Sequence, residues 1–235
     1  MKKGTRHLPM LVAALIGLLM AIHGPIAQPP DYHHFADVRS AFGIPNAADV
    51  LSNMGFAAVG LWGCVRVGHR QPGYLLFLGA LVMTGAGSFF YHLAPDDARL
   101  VWDRIPIALA CAGLLAGVHA RCTGHDNELR NTGILAVAAV TSVMWWSWTG
   151  DLRPYLMLQV LPLVLIPLWQ WACGTPRKER MAFAVAILLY IHAKAAELHD
   201  HEVLYATGIM SGHTLKHLLA TAAAALIVST LGRRA

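Results

Sequence analysis

Apolar residues run along the chain in eight stretches, approximately Leu8–Ala27, Val50–Val67, Gly73–Leu93, Arg104–Arg121, Thr132–Thr149, Pro154–Cys173, Met181–Ala196 and Ile209–Leu231. Each is close to the ~20 residues a helix needs to cross hydrocarbon, some only with a tilt or with a polar residue inside. The segments between them are short and rich in Gly, Pro, Asp and Asn, as turns are. The longest, Gln28–Asp49, is too short to be a domain of its own, and no repeat is visible. The pattern predicts an all-α, polytopic membrane helix bundle of eight spans.

Composition supports that class. Of 235 residues, 56% are hydrophobic and only 13% charged, about half the ~25% of soluble domains. That is too little charge to build a soluble surface, which argues against a soluble enzyme, a disordered chain and a disulfide scaffold. The cations then set an orientation. One set of loops carries 12 of them: Lys2, Lys3, Arg6, Arg66, Arg70, Arg121, Arg130, Arg177, Lys178, Arg180, Arg233 and Arg234. The alternate set carries 4, namely Arg39, Arg99, Arg104 and Arg153, while Lys194 and Lys216 fall within spans. This bias places both termini in the cytoplasm and most of the acids on the opposite side. The net charge of +5 is therefore a topology signal. No basic aromatic stripe points to nucleic acid.

The first stretch has two readings. Met1–His7 is basic and Leu8–Ile22 apolar, as in a signal peptide. The exit Gly24-Pro25-Ile26-Ala27-Gln28 puts proline at −3 to a cut after Ala27, which favours a retained helix. Residues 1–30 are thus read as an extra N-terminal helix, or a signal-peptide-like segment, ahead of a seven-helix domain over 31–235. Cleavage would leave the same orientation downstream. The cysteines Cys64, Cys111, Cys122 and Cys173 form no C-x-x-C pair and lie in or at inner ends of spans, where bridges are not expected. They read as small apolar fillers.

Thirteen histidines equal Asp and Glu combined, and an ionisable group inside a span is a functional candidate by default. Ser88 and His92 lie four apart at the end of the third span, on one helix face; an interfacial, solvated histidine is the plainer alternative. Ser211-Gly212-His213-Thr214-Leu215-Lys216-His217 opens the last span. Ser211 is placed to cap the helix. His213 and His217 project from one face at a spacing that lets both reach one metal ion. Asp103 opens the fourth span beside Arg104, where a simple interfacial ion pair is the alternative. Lys194-Ala195-Ala196-Glu197-Leu198-His199-Asp200-His201 ends the seventh span; it reads mainly as a polar, supporting or solvent-facing end, with Lys194 and Glu197 able to pair.

The charge bias, without any motif, puts His92, Asp103, His213 and His217 on the outer side. Three imidazoles with an open position suit a catalytic zinc, and neutral histidines fit zinc better than calcium or magnesium. Asp103 could carry a proton. Ser88 could orient water or stabilise an oxyanion. Either could instead only hold a histidine in place.

These residues resemble the CREST superfamily of membrane hydrolases, which includes alkaline ceramidases and the progestin and adiponectin receptors. Residues 87–104 and 211–219, together with Phe35-Ala-Asp-Val-Arg39, Gly43-Ile-Pro-Asn46 and Leu51-Ser-Asn53, look most like bacterial alkaline ceramidases. The resemblance spans about residues 32–231. It implies a zinc-dependent hydrolase, in a bacterial inner membrane with the site toward the periplasm, that cleaves the amide of a ceramide-like lipid to fatty acid and sphingoid base. His92, His213 and His217 would bind zinc, and Ser88 and Asp103 would be the other catalytic positions. The acidic calcium site of eukaryotic members is matched only by Asp37, with Asn46 near where another acid is expected, so calcium is not carried over with the resemblance. Two other classes stand beside this one: a receptor-like regulator with a structural zinc, and a His/Asp proton path or transporter.

Overall fold

A computed structural model describes residues 7–67, 71–124 and 127–231. Of the residues singled out above, Lys2, Lys3, Arg6, Arg70, Arg233 and Arg234, with His69 and His125, lie outside them. The described chain is helical without strands, apart from an isolated bridge between Ala41 and Ile44. Its helices are α1 (Leu8–His23), α2 (Ala47–Ser52), α3 (Met54–Val67), α4 (Pro72–Leu93), α5 (Asp97–Thr123), α6 (Glu128–Thr149), α7 (Arg153–Ala172), α8 (Arg177–Leu198), α9 (Asp200–Thr207) and α10 (Gly212–Thr230).

Each expected stretch contains a helix, but they do not all have the same membrane character. Among the described residues, five segments are long and apolar enough to cross a membrane: Ala47–Arg66, which joins α2 to α3, then α4, α5, α7 and α8. Helix α1 is apolar but only 16 residues long. Helix α6 opens on Glu128, Arg130 and Asn131, and α10 on His213, Thr214, Lys216 and His217, which lowers their apolar character.

Two boundaries differ from the sequence reading. Helix α5 begins at Asp97, not near Arg104, because Asp96 caps it by accepting the Arg99 N–H at 2.7 Å. Asp103 therefore sits in the second turn. The seventh span does not simply end in a polar tail either. The chain breaks at His199 and starts α9, which closes at Gly208 with a left-handed φ of 65°.

Hydrogen bonds define two ends of the bundle. At one end, the segment after α1 reaches three helix junctions. Gln28 donates to Asp97 at the start of α5 at 2.9 Å, the Ile26 N–H to Asp151 between α6 and α7 at 3.1 Å, and the Ala36 N–H to Asp200 after α8 at 2.8 Å. At the other end, the start of α4 meets the start of α6 through Gly73 N–H and Glu128 (3.0 Å). There too the end of α5 meets the start of α8 through Arg121 and Glu179 (2.8 Å). Consecutive long helices thus alternate in direction. The cysteine reading is corrected here. Cys122 and Cys173 are joined as a disulfide, because the ends of α5 and α7 bring their Cα atoms to 5.5 Å, within the normal range for a bridge.

The outer surface is apolar. Met10, Leu11, Ile22, Val65, Ile134, Val137 and Trp148 are all more than 60% exposed, a surface that suits lipid and not water.

Asp151 is the most connected of the loop acids. It is buried and accepts from Ile26 N–H, Trp145 Nε1 and the Arg153 side chain. The Arg153 guanidinium holds its carboxyl well below the usual carboxylate range. Asp151→Ala should therefore destabilise the detergent-solubilised protein by roughly 1–3 kcal/mol at pH 7, read as a lower Tm. A depressed pKa contributes stability above the unfolded-state value and loses it as pH falls. The Tm gap between wild type and variant should therefore narrow below about pH 4.

Candidate functional site

Close backbone contacts set the site up. A Cβ on Gly87 would lie 2.2 Å from the Trp102 carbonyl oxygen, and one on Gly212 would lie 2.0 Å from that of Ala196. Only glycine lets α4 meet α5 beside Ser88 and Asp103, and α10 meet the end of α8 beside His213. The last helix starts as expected, with the Ser211 side chain accepting the Thr214 N–H at 3.0 Å.

The three histidines converge. His92, His213 and His217 are 1%, 4% and 3% exposed. Their ring centroids are 4.8–5.0 Å apart, and one nitrogen from each lies within 4.8 Å of the others. His92 Nε2 faces His213 Nε2 at 3.2 Å. Two nitrogens on a tetrahedral ion at about 2.0–2.1 Å would be separated by about 3.3 Å, so this pair already has a ligand-like spacing. His92 Nδ1 is buried with no hydrogen-bond partner. Among the described residues, His92 Nε2 has the facing imidazole as its partner. A cation between the two Nε2 atoms would satisfy that nitrogen, and the group is one that could hold a metal ion.

Neighbours fix the rings. Ser52 Oγ donates to the Asp49 carbonyl at 3.0 Å and lies 2.8 Å from His217 Nδ1. A hydroxyl has one hydrogen; with that hydrogen on the Asp49 carbonyl, His217 Nδ1–H donates to Ser52 and its Nε2 keeps a lone pair. The His213 N–H donates to Asp200 Oδ1 at 2.6 Å. The Phe35 ring packs on His92 and His213 at 4.8 and 4.3 Å. Asn46, in a left-handed conformation, donates to the His92 carbonyl at 2.9 Å. Beyond the rings, Lys216 Nζ lies 2.9 Å from both His213 Nε2 and Glu197 Oε1, and Glu197 also pairs with Lys194.

Ser88 and Asp103 meet this group at a cavity of about 290 Å³ that His217 also lines. Most of its wall is apolar, including Phe56, Phe77, Leu81 and Ile166. Asp103 is 8% exposed and its Oδ1 has no hydrogen-bond partner. Ser88, Arg104, Glu197 and Lys216 line the cavity with it. All five residues singled out in the sequence thus fall in one region.

Asp37 is differently engaged. Arg39 Nε and Nη2 bind its two oxygens at 2.8 and 2.6 Å and hold its carboxyl below the usual range. Asn46 is occupied with His92. Both have protein partners. The polar end of α8, read mainly as supporting or solvent-facing, divides. Glu197 and Asp200 support the site, while His199 and His201 are exposed. Ser52 and Asp49 were not singled out as site residues. Asp200 lay in the polar run that ends the seventh span, and Lys216 carried a signal as a cation inside a span.

Metal analysis of the purified protein should find about one transition-metal ion per chain. His92→Ala, His213→Ala and His217→Ala should each remove most of it. Ser52→Ala, which takes away only the partner of His217 Nδ1, should weaken metal affinity roughly 10–100-fold without abolishing binding. No family model and no curated protein matches the chain, so a functional reading rests on this geometry.

Proposed function

We propose that the chain is an integral membrane hydrolase of the kind its motifs resemble, an alkaline-ceramidase-like amidase of the CREST superfamily. It would cleave a ceramide-like N-acyl lipid to a fatty acid and an amine. The observation that carries this is a group of three buried imidazoles of which one, His217, lines a largely apolar cavity together with Ser88 and Asp103. His92, His213 and His217 would hold zinc, for which a neutral imidazole set is well suited. When bound, zinc supplies Lewis-acid polarisation and lowers the pKa of water toward 7.

The residues of the chain do the rest. The apolar walls take the acyl chain and exclude bulk water from the amide. Asp103, with an unpartnered oxygen, accepts a proton as the oxygen of water bonds to the carbonyl carbon. It passes that proton to the amide nitrogen as the C–N bond breaks. Ser88 orients the Asp103 carboxyl and the water. A structural zinc in a receptor-like protein would be closed by a fourth protein ligand. Three imidazoles beside a cavity favour a reaction instead. The alternating helices, with the cationic bias of the loops, support eight crossings with cytoplasmic termini and the site toward the outer leaflet.

Turnover of a panel of amide lipids, in detergent with zinc present, tests the reading. Asp103→Asn should lower kcat on the order of 10²–10⁴-fold while metal content stays near wild type. Ser88→Ala should have a smaller effect. Wild-type rates in Asp103→Asn, or no hydrolysis of any amide lipid by a metal-loaded wild type, would refute it.

A further inference from the structure

Arg104 follows Asp103 on α5 and is used by nothing described so far. It is 2% exposed. Its guanidinium lies 3.9 Å from the centre of the Trp146 ring, with Tyr32 and Tyr155 at 5.1 and 5.3 Å. Three aromatic rings stabilise the charge, but they accept little from its N–H groups. Nε and Nη1 are both buried without a hydrogen-bond partner. A buried donor left unpaired costs about 1–3 kcal/mol, more when charged, so this arrangement needs a reason.

The cavity supplies one. Arg104 lines it together with Asp103, Lys194, Glu197 and Lys216. Glu197 is bound by both lysines. Lys216 and Asp103 line the same cavity. Three cations against two acids leave the lining one positive charge in excess, and Arg104 is the cation with free donors. An acceptor entering the cavity would satisfy it, and guanidinium prefers a carboxylate or phosphate oxyanion.

We propose that Arg104 docks an oxyanion on the amine half of the substrate. The ceramide-like N-acyl lipid of the amidase reading then carries a carboxylate or phosphate on its amine half, close to the amide. The inference rests on the amidase reading. It places the oxyanion in the cavity that holds the reacting bond, because Arg104 and Asp103 both line it. The aromatic box holds the guanidinium in one orientation before the lipid arrives.

Four probes of equal acyl length separate the possibilities: N-oleoylglycine, N-oleoylethanolamine phosphate, N-oleoylethanolamine and N-oleoylsphingosine. Wild-type kcat/KM should favour an anionic probe over the neutral ones by on the order of tenfold to a hundredfold. Preference between the first two identifies carboxylate or phosphate. In Arg104→Gln that ratio should collapse toward one. Arg104→Lys, which keeps charge but not the fork, should fall between. Equal wild-type turnover of anionic and neutral probes overturns the proposal. So does a fall in Arg104→Gln by the same factor for all four, which would give Arg104 a general role in fold or transition state. A binding readout stands apart from turnover. The Tm of Asp103→Asn should rise with N-oleoylglycine or the phosphate more than with N-oleoylethanolamine, and this selectivity should vanish when Arg104→Gln is added. If metal-loaded wild type hydrolyses nothing, the amidase reading falls. Anion-selective stabilisation still decides whether Arg104 docks an oxyanion.

Discussion

A polar group inside an apolar bundle must find its partner among the few others buried with it, because no water is at hand. His92 shows how strictly this applies. It faces His213 at 3.2 Å through Nε2 and has no partner at Nδ1. Much of the surrounding structure serves to keep that arrangement. Phe35 covers two of the rings, Ser52 contacts the third, and Asn46 holds the end of α4 by the His92 carbonyl. None of these contacts stabilises a helix in isolation. Together they fix where three helices can end.

The loop acids do the same work on a larger scale. Asp97, Asp151 and Asp200 each stand at a junction between two helices, and each binds a different part of residues 26–36. That segment has little regular structure of its own. Its backbone and side chains are instead spread across the bundle end as bridges. Asp200 is the point where this scaffold meets the site, since its two oxygens bind the Ala36 and His213 amides. A charge-poor chain has concentrated its acids where each one can join two elements.

How much of this was legible depends on the range of the interaction. The helices were, because an apolar run of spanning length has few other outcomes, and so was the Ser211 cap, which is a contact three residues long. The gathering of His92, His213 and His217 was legible through topology. Spans that alternate in direction put the end of one and the start of another on the same side. What the sequence left hidden depends on tertiary approach. Ser52 is an ordinary serine until α2 lies against α10. The α8–α9 break at His199 has no proline or glycine to mark it. Cys122 and Cys173 are 51 residues apart and look like fillers until α5 and α7 end together. Gly87 and Gly212 stand between the cases: visible beside the motif residues, yet explained only by carbonyls 2.0–2.2 Å from where a Cβ would be.

Burial also constrains how a reactant reaches the imidazoles. They lie at the end of α4 and the start of α10, near the bundle end crossed by residues 26–46, yet none is more than 4% exposed. Phe35 and the bonds from Ala36 and Asn46 close that side. The open volume lies on the other side of His217, between α4, α5, α7, α8 and α10, with apolar walls and Tyr190 bonded to Gln159 across α7 and α8 at 2.8 Å. A soluble substrate would have to displace the covering segment. A lipid whose chains are already at home among apolar helices need only bring its polar part up to Asp103 and His217. The apolar walls, with Asp103 and His217 at the cavity, are what the proposed amidase function draws on for a lipid substrate.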